Sequence, residues 1–205
     1  MIFGRNVLAK RLLAAVCAGS LAIAAPVGAQ TRTSWGLPQL MAALARVKSA
    51  SAQFVERKKL RVLDAPLVSS GTLLYVAPNQ VEKITVLPER ERLAISGDKL
   101  TIESGTGERP RTLSLANEPE IAAFVEGIRA TLAGDLPALE RFYRVELDGG
   151  PTSWRLSLTP RAEKVAKLVR SIRISGSGEK ITVVETDEAD GDRSEMNVVE
   201  DVHER

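Results

Sequence analysis

The chain has 205 residues, 44% hydrophobic and 26% charged, a balance that excludes both a disordered polyelectrolyte and a multi-span membrane protein and fits one domain of ordinary size. Aromatic residues make up only 4%, which leaves few stacking platforms for single-stranded nucleic acid. The formal charge of +2 includes Arg5, Lys10 and Arg11 near the start, so the basic character depends on whether the first residues stay attached.

Those three side chains precede Leu12 to Ala25, an uncharged apolar run. It is shorter than the ~20 residues a membrane-spanning helix needs. Pro26 and then Val27-Gly28-Ala29, small residues of the kind a signal peptidase accepts, follow it, so residues 1–29 read as a signal peptide cleaved after Ala29 and residues 30–205 as a single domain in the periplasm. The leader carries three of the 28 basic side chains and none of the 26 acidic ones, so the remainder holds 25 against 26. Nucleic acid is thereby excluded as a partner on electrostatic grounds. The single cysteine, Cys17, leaves with the leader, and no disulfide or thiol chemistry remains.

From Ser34 to Ala50, Leu37, Leu40, Met41, Leu44 and Val47 recur at three and four residues, with Pro38 in the first turn, and predict an amphipathic helix. The period then falls to two. SAQFVERKKLRVL, VSSGTLLYVA, QVEKITVL, ERLAIS and KLTIES are predicted strands, with turns at Asp64-Ala65-Pro66, Pro78-Asn79, Pro88-Glu89 and Ser96-Gly97-Asp98. A second helix starts at Pro119, presents Ile121, Phe124, Val125, Ile128 and Leu132 on one side, and stops at Gly134-Asp135. A short helix from Pro137 to Phe142 follows, then strands YRVELD and SWRLSLTP, a brief charged helix over 162–168, and strands VRSIRIS, KITVVETD and SEMNVVEDV.

This pattern predicts a mainly β, α+β fold of about eleven antiparallel strands with two main helices. Charged and apolar residues alternate along the strands, so one sheet face is solvated and the other must be covered. Too few helices are present to cover a flat sheet, which predicts an incomplete barrel wrapped around a helical plug or lid. Periodicity leaves open whether the interior is a filled core or a cavity.

Few residues suit catalysis or metal binding. The only histidine, His203, lies three residues from the end of the chain, so thiol, Ser-His-Asp and common zinc arrangements lack components. No cofactor, metal or enzymatic activity is therefore expected. The acidic run Glu185, Asp187, Glu188, Asp190, Asp192 does not keep calcium-loop spacing about Gly191 and reads as a solvated hairpin turn. Arg57, Lys58, Lys59 and Arg61 read as a charged outer face, a protected sheet edge or a partner-docking patch.

Several local strings, in order, resemble the LolA-like family of periplasmic outer-membrane lipoprotein carriers across about residues 35 to 202. They are Ser51-Ala52-Gln53-Phe54 after the first helix, Gly71-Thr72-Leu73-Leu74-Tyr75-Val76-Ala77-Pro78, Leu93 to Leu100 as a hairpin, and Leu156-Ser157-Leu158-Thr159-Pro160. The resemblance implies an unclosed barrel with a helical lid over a hydrophobic cavity. It implies a monomer that carries lipoprotein acyl chains or another lipid between an inner-membrane donor and an outer-membrane acceptor. Leu73, Tyr75, Val81, Leu93, Ile95, Leu100 and Ile102 are the expected lining, with Leu40, Leu44, Phe124 and Ile128 on the lid. Each of these residues has an ordinary alternative role in core packing, and a filled interior would make the chain a non-carrying interaction domain. Two positions depart from the family's pattern: Ala77 stands where carriers place an arginine before the strand-ending proline, and Lys83 where a tryptophan is common. The departures imply a LolA-like branch exchanging its cargo through different partners.

Overall fold

The computed structural model describes residues 35–105 and 109–201. The proposed leader with its Ala29 cleavage site, Cys17 and His203 lie outside them.

Eleven antiparallel strands form one sheet in the order β6-β5-β4-β3-β2-β1-β11-β10-β9-β8-β7. They are β1 (Ser49–Lys59), β2 (Leu67–Val76), β3 (Gln80–Leu87), β4 (Glu91–Ser96), β5 (Lys99–Ser104), β6 (Arg111–Ser114), β7 (Tyr143–Gly150), β8 (Ser153–Pro160), β9 (Val169–Ser177), β10 (Lys180–Glu188) and β11 (Arg193–Glu200). Every neighbouring pair is a chain-consecutive hairpin neighbour except β1 with β11, which joins the first strand to the last, and the sheet stays open between edges β6 and β7. The chain between those edges forms α2 (Pro119–Ala133) and α3 (Leu136–Phe142), so connecting one edge to the other carries the helices over the sheet. The expected incomplete barrel is thus produced by topology.

Two helix ends show their local causes. Helix α2 begins on Pro119 and ends at Gly134, whose φ of 68° lies in the left-handed region. A Cβ there would sit 2.2 Å from Met41 O, so glycine also permits close approach to α1 (Leu37–Leu44). The first helix is shorter than its apolar period predicts: it stops at Leu44, and Val47 falls in a turn. From Ser49 onward the backbone pairs with β2, and from Ala52 with β11 as well, a two-sided ladder that outweighs helix propensity. The central place of β1 also rules out edge protection as the reason for its basic cluster. Strand β6, four residues after Pro110, is the one strand that the alternation did not mark.

Register assigns the faces. On the concave side, Tyr143, Val145 and Leu147 of β7 lie in phase with Leu156 and Leu158 of β8 and Ile172 and Ile174 of β9. Here the interior is filled. Leu40, Met41, Leu44, Leu139 and Val165 from the helices complete a core with Trp154, Leu156, Leu158, Ile172 and Ile174, all nearly inaccessible. Tyr143 closes this core against α2, its ring 3.0 Å from where a Cβ on Gly127 would stand. The convex side carries the charges, with Arg173 bridging Glu185 and Asp187, Arg193 adding a second cation on Asp187, and Arg92 joining Glu82 to Glu103. Desolvation opposes ionisation of Asp187, but Arg173, Ser171 and Arg193 outweigh it and hold the carboxyl below its usual range.

Candidate functional site

On the other half of the concave face the interior is not filled. A cavity of about 600 Å³ lies between α2 and the sheet, within the ~300–1,000 Å³ range of small-molecule sites. Its wall follows the register from strand to strand: Tyr75 of β2 pairs with Val81 of β3, Val81 with Ile95 of β4, and Ile95 with Leu100 of β5. One step along, Leu73 pairs with Lys83, Lys83 with Leu93, and Leu93 with Ile102. Opposite them stand Ile121, Phe124, Val125 and Ile128 of α2, and Leu44 and Val47 from the end of α1.

All seven expected wall residues, Leu73, Tyr75, Val81, Leu93, Ile95, Leu100 and Ile102, border this one space, as do Leu44, Phe124 and Ile128. Leu40 does not. It belongs to the filled core, because helix α1 turns that residue toward β7–β9 while Leu44, one turn on, reaches both. Residues from the far side of β1 complete the wall, among them Val184, Met196 and Val198, which share phase with Phe54 and Glu56 but carry no sequence signal beyond ordinary strand alternation.

The cavity is not uniformly apolar. Lys83 extends from the wall so that its Nζ lies 2.5 Å from Glu56 Oε2 and 5.0 Å from the centroid of the Phe54 ring. Further along β1, Lys58 Nζ lies 2.6 Å from Glu188 Oε1. Burial alone would lower the pKa of Lys58, but the hydrogen bond to Glu188 and the charges of Glu188, Asp192 and Glu56 outweigh it and raise the ammonium above its ordinary range. Thus Lys58, expected on the outer face, points inward, as alternation along β1 with Glu56 requires. The Lys58 end of the cavity is ion-paired and the wall of β2–β5 around Tyr75 is aliphatic, while Glu179 and Glu200, which also border the cavity, are held by Arg46 and Lys180.

Of the acidic run, Glu185, Asp187 and Glu188 end strand β10, and only Asp190 and Asp192 lie in the hairpin turn to β11. Carboxylates of Glu188, Asp190 and Asp192 approach within 4.8 Å, but each has a partner within the fold. Glu188 holds Lys58, Asp190 Oδ1 accepts from Asp192 N, and Asp192 Oδ1 accepts from Arg61 N. Ala77, where carriers have arginine, donates its backbone N–H to Lys48 O just after α1.

An open antiparallel sheet with helices across its hollow face, and an apolar cavity beneath them, defines the architecture of a LolA-like protein. Residues 29–199 match the profile of the family described as "Outer membrane lipoprotein carrier protein LolA-like", and the chain belongs to that family. A search of curated proteins gives no match. Among solved structures it is similar to a LolA superfamily protein from Nitrosomonas europaea, at 11% identity over 82% of this chain and 93% of that one, with a TM-score of 0.45. The MucA/MucB complex of Pseudomonas aeruginosa gives 11% identity over 82% of this chain and 58% of that chain, with a TM-score of 0.44.

Proposed function

We propose that this protein is a periplasmic carrier, freed of residues 1–29, that binds the acyl chains of a lipoprotein or another lipid in the cavity and shuttles them toward the outer membrane. The observation that carries the reading is the cavity itself: one half of a continuous sheet is packed solid while the other, built from equally apolar strands, is left hollow under a helix. Hydrocarbon in water explains the need. Each exposed methylene costs about 0.8 kcal/mol, so a chain of about sixteen carbons faces on the order of 13 kcal/mol in crossing unaided. A carrier recovers much of this by burial, yet must leave enough for release at the far membrane.

In this reading Leu73, Tyr75, Val81, Leu93, Ile95, Leu100 and Ile102 contact the chain, and Leu44, Phe124 and Ile128 cover it. The protein is a binder without catalysis, exchanging its cargo with donor and acceptor proteins. The test is mass spectrometry of organic extracts from protein purified out of its native periplasm, with N-terminal sequencing of the same sample. A co-purifying acylated species and a start at Gln30 are expected; a chain free of lipid that also binds no added acyl probe sinks the proposal.

A further inference from the structure

The chain has two tyrosines, and their hydroxyls are treated differently. Tyr143, in the filled core, donates to Ala123 O at 2.9 Å. Tyr75 is only 5% exposed, and its Oη has no hydrogen-bond partner. Folded proteins rarely leave a buried hydroxyl unpaired, because it forfeits the bond it made with water. The surroundings explain the vacancy. Val81 and Ala50 are its cross-strand partners and Ile95 lies one strand beyond, and none of these side chains offers an acceptor. The carboxylates that line the cavity are taken by other partners, Glu56 by Lys83, Glu188 by Lys58, Glu179 by Arg46 and Glu200 by Lys180, so that none of them reaches Tyr75. Burial pushes the Tyr75 phenol up from its ordinary range, so at neutral pH it remains an O–H and therefore a donor.

A donor in an aliphatic wall suits a ligand that is mostly hydrocarbon but has an acceptor at one point. We infer that the cavity takes an acyl compound whose carbonyl or carboxylate oxygen accepts a hydrogen bond from Tyr75 Oη, so that the carrier selects fatty acyl esters, amides or acids over hydrocarbon chains without oxygen. The inference rests on the carrier reading and narrows its substrate class. An isoprenoid or alkane tail would fill the same volume and leave the hydroxyl unpaired. An acyl oxygen removes that deficit, and the difference between the two is selectivity.

Three probes with one fluorophore and one chain length separate the possibilities: 12-(1-pyrenyl)dodecanoic acid, its methyl ester, and 1-dodecylpyrene. Each is titrated into wild type and Tyr75→Phe. Phenylalanine keeps the ring and removes no internal hydrogen bond, so the melting temperature should not fall. The expected result is a roughly 5- to 10-fold weaker Kd for acid and ester in Tyr75→Phe, with dodecylpyrene changed by less than about twofold. Loss for the acid but not the ester also supports the inference and assigns the acceptor to a free carboxylate. Equal weakening of all three probes, or of none, overturns it while leaving the carrier reading intact. If wild type binds none of the three, both fall.

Discussion

Tyr143 and Gly127 meet face to face, the ring of one lying where any side chain on the other would have to go, and the Tyr143 hydroxyl continues past that contact to donate to Ala123 O at 2.9 Å. This joins α2 to the edge strand β7 through a group that titrates. Burial pushes the Tyr143 phenol up to about 12 from its ordinary 10.0. The folded state therefore holds a proton that the unfolded state releases first, and stability is fully present below pH ~10 and falls as pH rises toward ~12. The loss amounts to an order of 2–3 kcal/mol by the upper end of that window. Urea denaturation of wild type and Tyr143→Phe between pH 8 and 11.5 measures it. The variant should start less stable through loss of the bond to Ala123 and show the shallower decline; parallel curves would mean that Tyr143 ionises as freely when folded as when unfolded.

Lys83 and Glu56 call for a different measurement. Their side chains are 24% and 14% exposed, so the pair lies between a surface ion pair, worth ~0–1 kcal/mol, and a buried one, whose breakage costs ~3–5 kcal/mol. Lys83→Met should destabilise by about 1–3 kcal/mol, because Glu56 then keeps only Ser69 Oγ at 3.5 Å as a hydrogen-bond partner and the more distant charge of Lys58 in a largely buried wall. The double variant Glu56→Gln/Lys83→Met should recover most of that loss, since methionine extends the aliphatic wall and the amide needs no counter-charge. Additive single losses in the double-mutant cycle would mean that the two groups do not act as a pair.

The sequence made the elements legible where turns bounded a clean period. Strands β3, β4 and β5 run over the predicted segments because Pro78-Asn79, Pro88-Glu89 and Gly97-Asp98 punctuate them, and α2 runs from its proline to its glycine. Strand β6 is too short to show a period, and α1 ends early because pairing of β1 is a long-range effect invisible to local pattern. The interior was unreadable for a related reason. Leu156 and Leu158, sealed in the core, and Leu93 and Ile95, on the cavity wall, alternate alike in sequence. What separates them is the layer opposite: α3 and the short helix α4 (Glu163–Ala166) pack against β7, β8 and β9, whereas α2 spans the other strands at a distance. The phase of β3 puts Lys83 on the face of Val81, two residues away, yet the sequence marked Lys83 only as a departure from the family's pattern and not as a wall residue.

That shared alternation supplies the decisive comparison, because Leu73 and Leu156 lie on the same face of one sheet with different surroundings. Leu156 is fully buried in the filled core. A carboxylate in its place has no partner, and Leu156→Glu should cost several kcal/mol, enough to unfold most of a domain whose whole stability is of order 5–15 kcal/mol. Leu73 borders the cavity and pairs across the strand with Lys83. Glutamate there can be hydrated from the hollow and can compete with Glu56 for the Lys83 ammonium, so Leu73→Glu should melt only modestly below wild type. Binding of an acyl probe should nonetheless fall at least about tenfold, as the charge faces the hydrocarbon. Val76→Glu is the control on the same strand, 48% exposed and away from the cavity, and should change neither quantity. Thermal melts and probe titrations of the three variants give the answer. Collapse of Leu73→Glu to the level of Leu156→Glu would mean that the β1–β5 half is packed in solution as tightly as the other, and the carrier reading would lose the space it depends on.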